Sequence, residues 1–301
     1  MLNKLNYSFF ISIVLAYVTN LFADNALIFQ SDFGLKDGAV SAMKGVAYGV
    51  DHQLKMFDLT HDIPAFNIWE AAYRLDQTAP YWPPGTVFVS VVDPGVGTSR
   101  KSVVLKTKNG QYFIAPDNGT LGLVADKFGI EAVREINESI NRLPGSNDSY
   151  TFHGRDVYAY TGARLASGVI NFTEVGPELA KQVLRIPYQV AKVTNGELSG
   201  NLPILDPQYG NAWSNIPKVM LQQIKVKMGD ILCVSISNGD LLKYQGKARY
   251  VHSFGAVAPG MPLIYVNSLM NVAIALNMAD FSAKYQIKSG PEWAIRLRKC
   301  K

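Results

Sequence analysis

Residues 87–100, V-F-V-S-V-V-D-P-G-V-G-T-S-R, constrain the fold of this chain more than any other stretch. Residues 87–92 form an apolar, β-branched run, the pattern of a strand buried on both faces. Asp93-Pro94-Gly95 ends it abruptly, because proline removes a ladder donor and glycine admits a left-handed turn. A strand of this kind belongs to an open α/β sheet, and such sheets bind ligands at the C-terminal ends of their strands. Here that end delivers a carboxylate, and Arg100 follows across a glycine-punctuated loop. Thr151-Phe152-His153-Gly154-Arg155-Asp156 sets an imidazole just before a helical pattern. An acid, a guanidinium and an imidazole are the groups needed to position and activate a water. Asp93, Arg100 and His153 are therefore the candidate catalytic residues. Each alone has a plainer reading: a strand-end turn, a solvated loop, a histidine satisfied at a helix start.

The chain around this strand alternates. Residues 26–30 read as a strand ending at a second carboxylate, Asp32, and Asp37 is placed to cap the helix that follows. Residues 55–59 read as a strand, 68–78 as a helix stopped by prolines, and 102–107 with 111–115 as a hairpin around Asn109-Gly110. A helix over about 121–128, a strand over 131–136, a polar surface loop over 141–149 and a helix from His153 to before Gly168 complete the pattern. Strands alternating with helices predict a mainly parallel sheet flanked by helices. After Pro187 the texture changes to short apolar runs at 190–193, 202–205, 224–226, 231–236, 263–266 and 293–297, separated by turn residues. That pattern predicts a smaller all-β barrel. The expected organisation is a leader (1–23), an α/β domain (24–185) and a β-barrel (190–301), joined near residues 181–190.

At 301 residues, 48% hydrophobic and 18% charged, the chain has room for these two globular domains. A net charge of +5 without a basic, aromatic-interleaved run gives no case for nucleic-acid binding. Cys233 and Cys300 make no disulfide framework and no metal-ligand spacing; Cys233, in an apolar run, reads as a small core residue. At the N-terminus, Lys4 precedes an apolar run over 9–18 and then Ala23. This is the layout of a secretory signal cleaved after Ala23, and it is short for a membrane span of roughly 20 residues. The expectation is an exported protein, periplasmic or secreted, with no stable membrane association after signal removal.

Six motifs, in order, resemble one family, the S-adenosylmethionine (SAM) hydroxide adenosyltransferases, or SAM hydrolases, relatives of the fluorinase and chlorinase. They are Ser31-Asp32-Phe33-Gly34-Leu35-Lys36-Asp37, Asp58-Leu59-Thr60-His61-Asp62-Ile63-Pro64, Val92-Asp93-Pro94-Gly95-Val96-Gly97, Pro116-Asp117-Asn118-Gly119, Ser149 to Asp156, and Leu205-Asp206-Pro207-Gln208-Tyr209-Gly210-Asn211. The resemblance implies a homotrimer that binds SAM where one subunit's α/β domain meets its neighbour's barrel. It puts a hydrolytic triad on Asp93, Arg100 and His153 and a ribose-holding carboxylate on Asp32, with Asp37 closing the same motif as a further substrate-side residue. In the barrel it puts ligand contacts on Asp206, Tyr209, Asn211, Asn267 and Ser268. The halogenating relatives lack the strand-end Asp-Pro-Gly and the histidine, so Asp93 and His153 favour water over halide. The chain departs from the pattern at Met270 and Ala273, where the family carries glycine and glutamate.

These residue types suit such a reaction. The sulfonium of SAM makes methionine a neutral leaving group, so no acid is needed to expel it. What remains is to hold water in line with the C5′–S bond and to accept its proton. Whether Asp93 or His153 takes that proton stays open at this level. One ionised carboxylate, Asp32, can accept two ribose hydroxyls, although it could equally cap the next helix. Tyr209 and Trp213 offer faces to adenine or the sulfonium, with barrel-core packing the stronger reading for Trp213. A metal reading of His61 and Asp62 has no ligand spacing behind it, and Gly95-Val96-Gly97 lacks the third glycine of a dinucleotide loop. No metal and no cofactor are expected, SAM being the substrate. The rival expectations are an exported adenosyl-ligand binder without turnover and, less favoured, an adenosyl halide synthase.

Overall fold

The structure, a computed structural model, describes residues 25–300; the expected leader lies outside them. Seven strands build the first sheet: β1 (Leu27–Ser31), β2 (Met56–Thr60), β3 (Val87–Val91), β4 (Ser102–Thr107), β5 (Tyr112–Pro116), β6 (Ile130–Glu135) and β7 (Glu178–Leu179). Their order is β2-β1-β3-β5-β4-β6-β7. Pairing is parallel through β2, β1, β3 and β5, and antiparallel from β5 onward, where the Asn109-Gly110 turn folds β4 against β5.

Helices cover both faces because β1, β3 and β5 are apolar on both. Leu27, Phe29 and Val89 meet Met43 and Ala47 of α1 (Ala39–Val50) and Ala163 of α5 (Tyr160–Ala166). Ile28, Phe88 and Phe113 point the other way, onto Leu75 of α2 (Ile68–Thr78) and Val124 of α3 (Gly122–Phe128). Each such side chain contributes roughly 1.5–3 kcal/mol of burial. Glycine lets α5 lie close: a Cβ at Gly162 would sit 2.6 Å from Val89 Cγ2. The short α4 (Glu138–Asn141) precedes a segment expected to be a surface loop. That expectation is corrected, since Asn141, Arg142 and Ser146 are buried. Asn141 turns inward because its amide donates to the carbonyls of Glu174 and Val175 at 3.0 and 2.9 Å.

The second sheet has nine strands: β8 (Lys192–Thr194), β9 (Glu197–Asn201), β10 (Ile204–Leu205), β11 (Ala212–Pro217), β12 (Ile231–Asn238), β13 (Leu241–Tyr250), β14 (Pro262–Val266), β15 (Asn271–Leu276) and β16 (Trp293–Lys299). Its order is β10-β11-β15-β14-β13-β12-β16-β9-β8. It curls so that β9, near one end, returns to β11, near the other, where Asn201 N donates to Asn215 Oδ1 at 2.8 Å. The barrel's main core includes Leu198, Ile216, Val234, Ile274 and Ile295, and a second, smaller cluster gathers Val251, Leu263, Tyr265, Ala273 and Ala275. The run at 224–226, expected as a strand, is not one; it follows the short α6 (Met220–Gln223). Ile224 and Val226 join the barrel core as a plug, which explains an apolar run too short to pair.

The cysteine expectation is also corrected. Cys233 and Cys300 form a disulfide, with Cα atoms 5.2 Å apart and a sequence separation of 67. Along β12, Leu232, Val234 and Ile236 face the core, so alternation turns Cys233 outward, where β16 brings the C-terminal cysteine alongside.

Candidate active site

The chain leaves β1 for β2 on one side and returns through β3 on the other, so β1 and β3 flank the point where strand order reverses. Ser31 pairs with Val91 in register, which carries Asp32 and Asp93 to the same sheet edge. Sequence position and topology together thus place both carboxylates where an open sheet receives ligands.

Asp93 is clamped. Arg100 Nη1 donates to Asp93 Oδ1, while Nη2 donates to the Pro94 carbonyl at 2.8 Å. The other carboxylate oxygen, Oδ2, accepts from the Tyr158 hydroxyl at 3.3 Å, and Ser102 Oγ donates to that hydroxyl at 3.1 Å. Burial, and then the charge of Asp93, push the Tyr158 phenol far above its ordinary range, so it stays a protonated donor. Tyr158 lies in a π-helical turn (Gly154–Ala159) that leads into α5, so the expected helix begins as a wider turn. Wide turns of this kind recur at functional sites. Gly154 permits the approach to β3: a Cβ there would lie 3.1 Å from Val91 Cγ1.

His153, buried at the head of that turn, has its ring edge-on to Tyr158 at 6.3 Å. Asp93 and His153 thus meet the same tyrosine, and Arg100 joins them through Asp93. Arg142 Nη2 lies 3.1 Å from His153 Nε2. Tyr158 and Arg142 were not singled out in the sequence. A tyrosine in a helical run reads as core, and an arginine in a polar stretch reads as solvated.

Asp32 accepts from the backbone N–H of Phe66 through Oδ2 at 2.8 Å. Asp37 is exposed and accepts from Ala39 N at 2.9 Å, but the N-cap of α1 is the next residue, Gly38, which has no side chain to cap it. His61 is buried between Ser31 Oγ (2.7 Å from Nδ1) and Asp58 Oδ1 (3.1 Å from Nε2), a structural bridge from β1 to β2. Burial raises the Asp58 carboxyl, but the hydrogen bonds and charges of Lys44 and His61 outweigh it and hold the group low. Among the described residues no group of three or more His, Cys, Asp or Glu is placed to hold a metal ion.

The barrel carries a hollow of about 700 Å³ that brings together Asp206, Tyr209, Asn211, Asn267 and Ser268. Its wall is aromatic, with Trp213, Phe254 and Tyr265. Trp213 does both: half-buried, it packs against the cluster of Val251, Leu263, Tyr265, Ala273 and Ala275 and lines the hollow, its indole N–H donating to Tyr265 Oη at 3.1 Å. Burial first, and the charge of Asp206 as well, take the Tyr265 phenol up to about 12 against the opposing Trp213 bond, so it is a neutral hydroxyl. Asn211 Nδ2 donates to Asp206 Oδ2 at 3.2 Å across the left-handed Gly210. Only glycine fits there, because the Asp280 carboxylate occupies the space of a Cβ. Asn267 spends its oxygen on the Leu269 and Asn271 N–H groups, whereas its buried Nδ2 has no hydrogen-bond partner. Asn267 lines the hollow, but that unpaired donor is itself sealed from solvent. Met270, next in that turn, holds φ +61°, the left-handed region that favours glycine.

The first sheet thus carries two carboxylates at its switch point, and the barrel carries a separate ligand-sized hollow lined by its own residues. The chain belongs to the SAM hydroxide adenosyltransferase family, matching its N-terminal domain over residues 27–176 and its C-terminal domain over residues 200–294. It is 35% identical to the (R)-S-adenosyl-L-methionine hydrolase of Methanocaldococcus jannaschii over 228 residues, 74% of this chain and 78% of that one. It is 27% identical to the fluorinase of Actinopolyspora mzabensis over 288 residues, 88% and 94% of the two chains. An uncharacterized conserved protein from Thermotoga maritima has the same fold, with a TM-score of 0.83 and 34% identity over 91% of this chain and all of that one.

Proposed function

We propose that this protein hydrolyses SAM to adenosine and L-methionine, with water attacking C5′ in line with the departing sulfur. The new C5′–O bond forms as the C5′–S bond breaks, its electron pair neutralises the sulfonium, and one water proton passes to the enzyme and then to solvent. The clamped Asp93 carries the reading. Arg100 and Tyr158 hold both its oxygens in place, so its remaining lone pairs are aimed without reorganisation. Asp32 is the ribose-side carboxylate, and the hollow with Asp206, Tyr209, Asn211, Asn267 and Ser268 receives adenine and methionine. No cofactor takes part. The relatives' names specify the (R) epimer of the sulfonium, so both epimers belong in the assay.

The test is incubation of mature protein with each epimer in ¹⁸O-water. Label in the 5′-oxygen of released adenosine is expected; unlabelled adenosine excludes the mechanism. Tight binding without product selects the non-catalytic binder, and chloride-dependent 5′-halo-adenosine selects the halide synthase.

The working unit is a homotrimer whose sites combine two subunits. Its support is that barrel residues alone line the hollow, whereas Asp93, Arg100 and His153 sit on the first sheet's edge. An Asp93→Asn chain unfolded and refolded with a Trp213→Ala/Tyr265→Ala chain is expected to regain activity that neither has alone. The protein is exported and acts in the periplasm or outside the cell. Besides the N-terminal pattern, the Cys233–Cys300 disulfide supports this, since such bonds persist in oxidising compartments. Mass spectrometry of the mature chain is expected to show Asp24 as its first residue; Met1 retained on soluble protein refutes it.

A further inference from the structure

The triad leaves its proton acceptor undecided, and a residue outside it decides the matter. Arg142 is buried, with a side chain 4% exposed, directly behind His153. Its Nε and Nη2 donate to Glu138 Oε2 at 3.1 and 2.6 Å, and its guanidinium lies 4.6 Å from the centre of the Tyr150 ring. Nη1 points to the Ser149 carbonyl at 3.4 Å. Salt bridge, ring and loop carbonyl thus pin the guanidinium plane, and Nη2 also lies 3.1 Å from His153 Nε2. A guanidinium has donors only and does not give up its proton. The Arg142–His153 contact is a hydrogen bond only with Nε2 as acceptor, which puts the ring's single proton on Nδ1. Nδ1 has no hydrogen bond to any described residue and is not among the buried polar atoms lacking a partner. It is therefore free to donate to what occupies the cleft.

We infer that Arg142 is a positioning residue that holds His153 as the Nδ1–H tautomer. His153 then serves as a hydrogen-bond donor to the attacking water, and Asp93 receives the water proton. The water oxygen accepts from Nδ1–H with one lone pair and attacks C5′ with the other, while one of its hydrogens faces Asp93. This inference rests on the hydrolase reading for its consequence but not for its geometry, and the two fail separately.

The tautomer is read directly from ¹⁵N resonances of the imidazoles; the chain has 4 histidines, so His153 is assigned by the peaks lost in His153→Asn. In the intact protein Nδ1 is expected in the protonated range and Nε2 in the unprotonated range. Arg142→Met should move the proton toward Nε2, and Arg142→Lys, which restores a donor, should return it to Nδ1. Wild-type protein protonated at Nε2, or Arg142→Met with an unchanged tautomer, overturns the inference whether or not SAM is turned over. The role is tested by kinetics. An asparagine amide can present N–H at the place of Nδ1, whereas a glutamine amide reaches the place of Nε2. His153→Asn is expected to keep kcat within about 10-fold, while a general base lost by either substitution costs about 10²–10⁴-fold. Equal, large losses in both variants, with folded spectra, refute the donor role. Arg142→Met should lower kcat with little change in KM, and Arg142→Lys should recover part of it.

Discussion

The two halves of this molecule solve opposite problems. At the first sheet's edge, charged groups are few, close and tied to fixed partners: Arg100 and Tyr158 on Asp93, Glu138 and His153 on Arg142. In the barrel the wall is largely apolar, with Tyr209, Trp213, Phe254 and Tyr265 among its residues. A site that must stabilise a charge forming for an instant needs dipoles fixed beforehand. A site that must hold a flat base and a flexible tail needs area and a few open polar groups. On the proposed reaction, the α/β half serves the reacting atoms and the barrel half serves recognition.

That division has measurable consequences. Asp93→Asn is expected to lower kcat by about 10²–10⁴-fold while SAM still binds, since the general base is lost and the hollow is intact. A matching rise in the dissociation constant by calorimetry would mean that the strand end also recognises the ligand. Cys300→Ser should destabilise the protein to urea by roughly 2–4 kcal/mol, because the disulfide closes a long loop of the barrel. Below its melting temperature that variant should keep the parental kcat, the bond lying on the barrel's outer face. Trp213→Ala should raise KM about 10-fold, on the order of 1–2 kcal/mol of lost aromatic contact, with kcat nearly unchanged. A collapse of kcat instead would put Trp213 beside the reacting carbon and blur the division. Met270→Gly should raise stability by about 0.5–1 kcal/mol, seen as a melting temperature higher by a degree or two, because it relieves a left-handed backbone. It should leave kcat alone, and any change in KM would show how far that turn shapes the hollow.

Much of the α/β half was legible in the chain. An apolar run and a proline brake define β3 locally, and a shorter apolar run, Leu27 to Phe29, defines β1, so the two strand-end carboxylates could be named in advance. The barrel was less legible. Four of its strands, β9, β11, β13 and β15, fell outside the expected runs. β13 carries exposed Leu241, Leu242, Lys243, Gln245, Lys247 and Arg249, and its inward Tyr244, Ala248 and Tyr250 are spaced around a glycine. A one-sided strand such as β13 leaves a fainter pattern than a strand buried on both faces, a reason that does not extend to β15, which is buried on both.

From the amino-acid order alone came the order of elements in the α/β half and the change of texture after Pro187, since periodicity, proline stops and glycine turns act over a few neighbouring residues. The expectation of a site on Asp93, Arg100 and His153 came from the resemblance of whole motifs. The tertiary structure alone decided what those groups lean on. Tyr158 reaches Asp93 across 65 positions, Cys233 finds Cys300 across 67, and Arg142 turns inward from a stretch that looked solvated. Such pairings depend on how whole elements pack, and a hydroxyl, a thiol or a guanidinium carries no local mark of the partner that packing will bring to it.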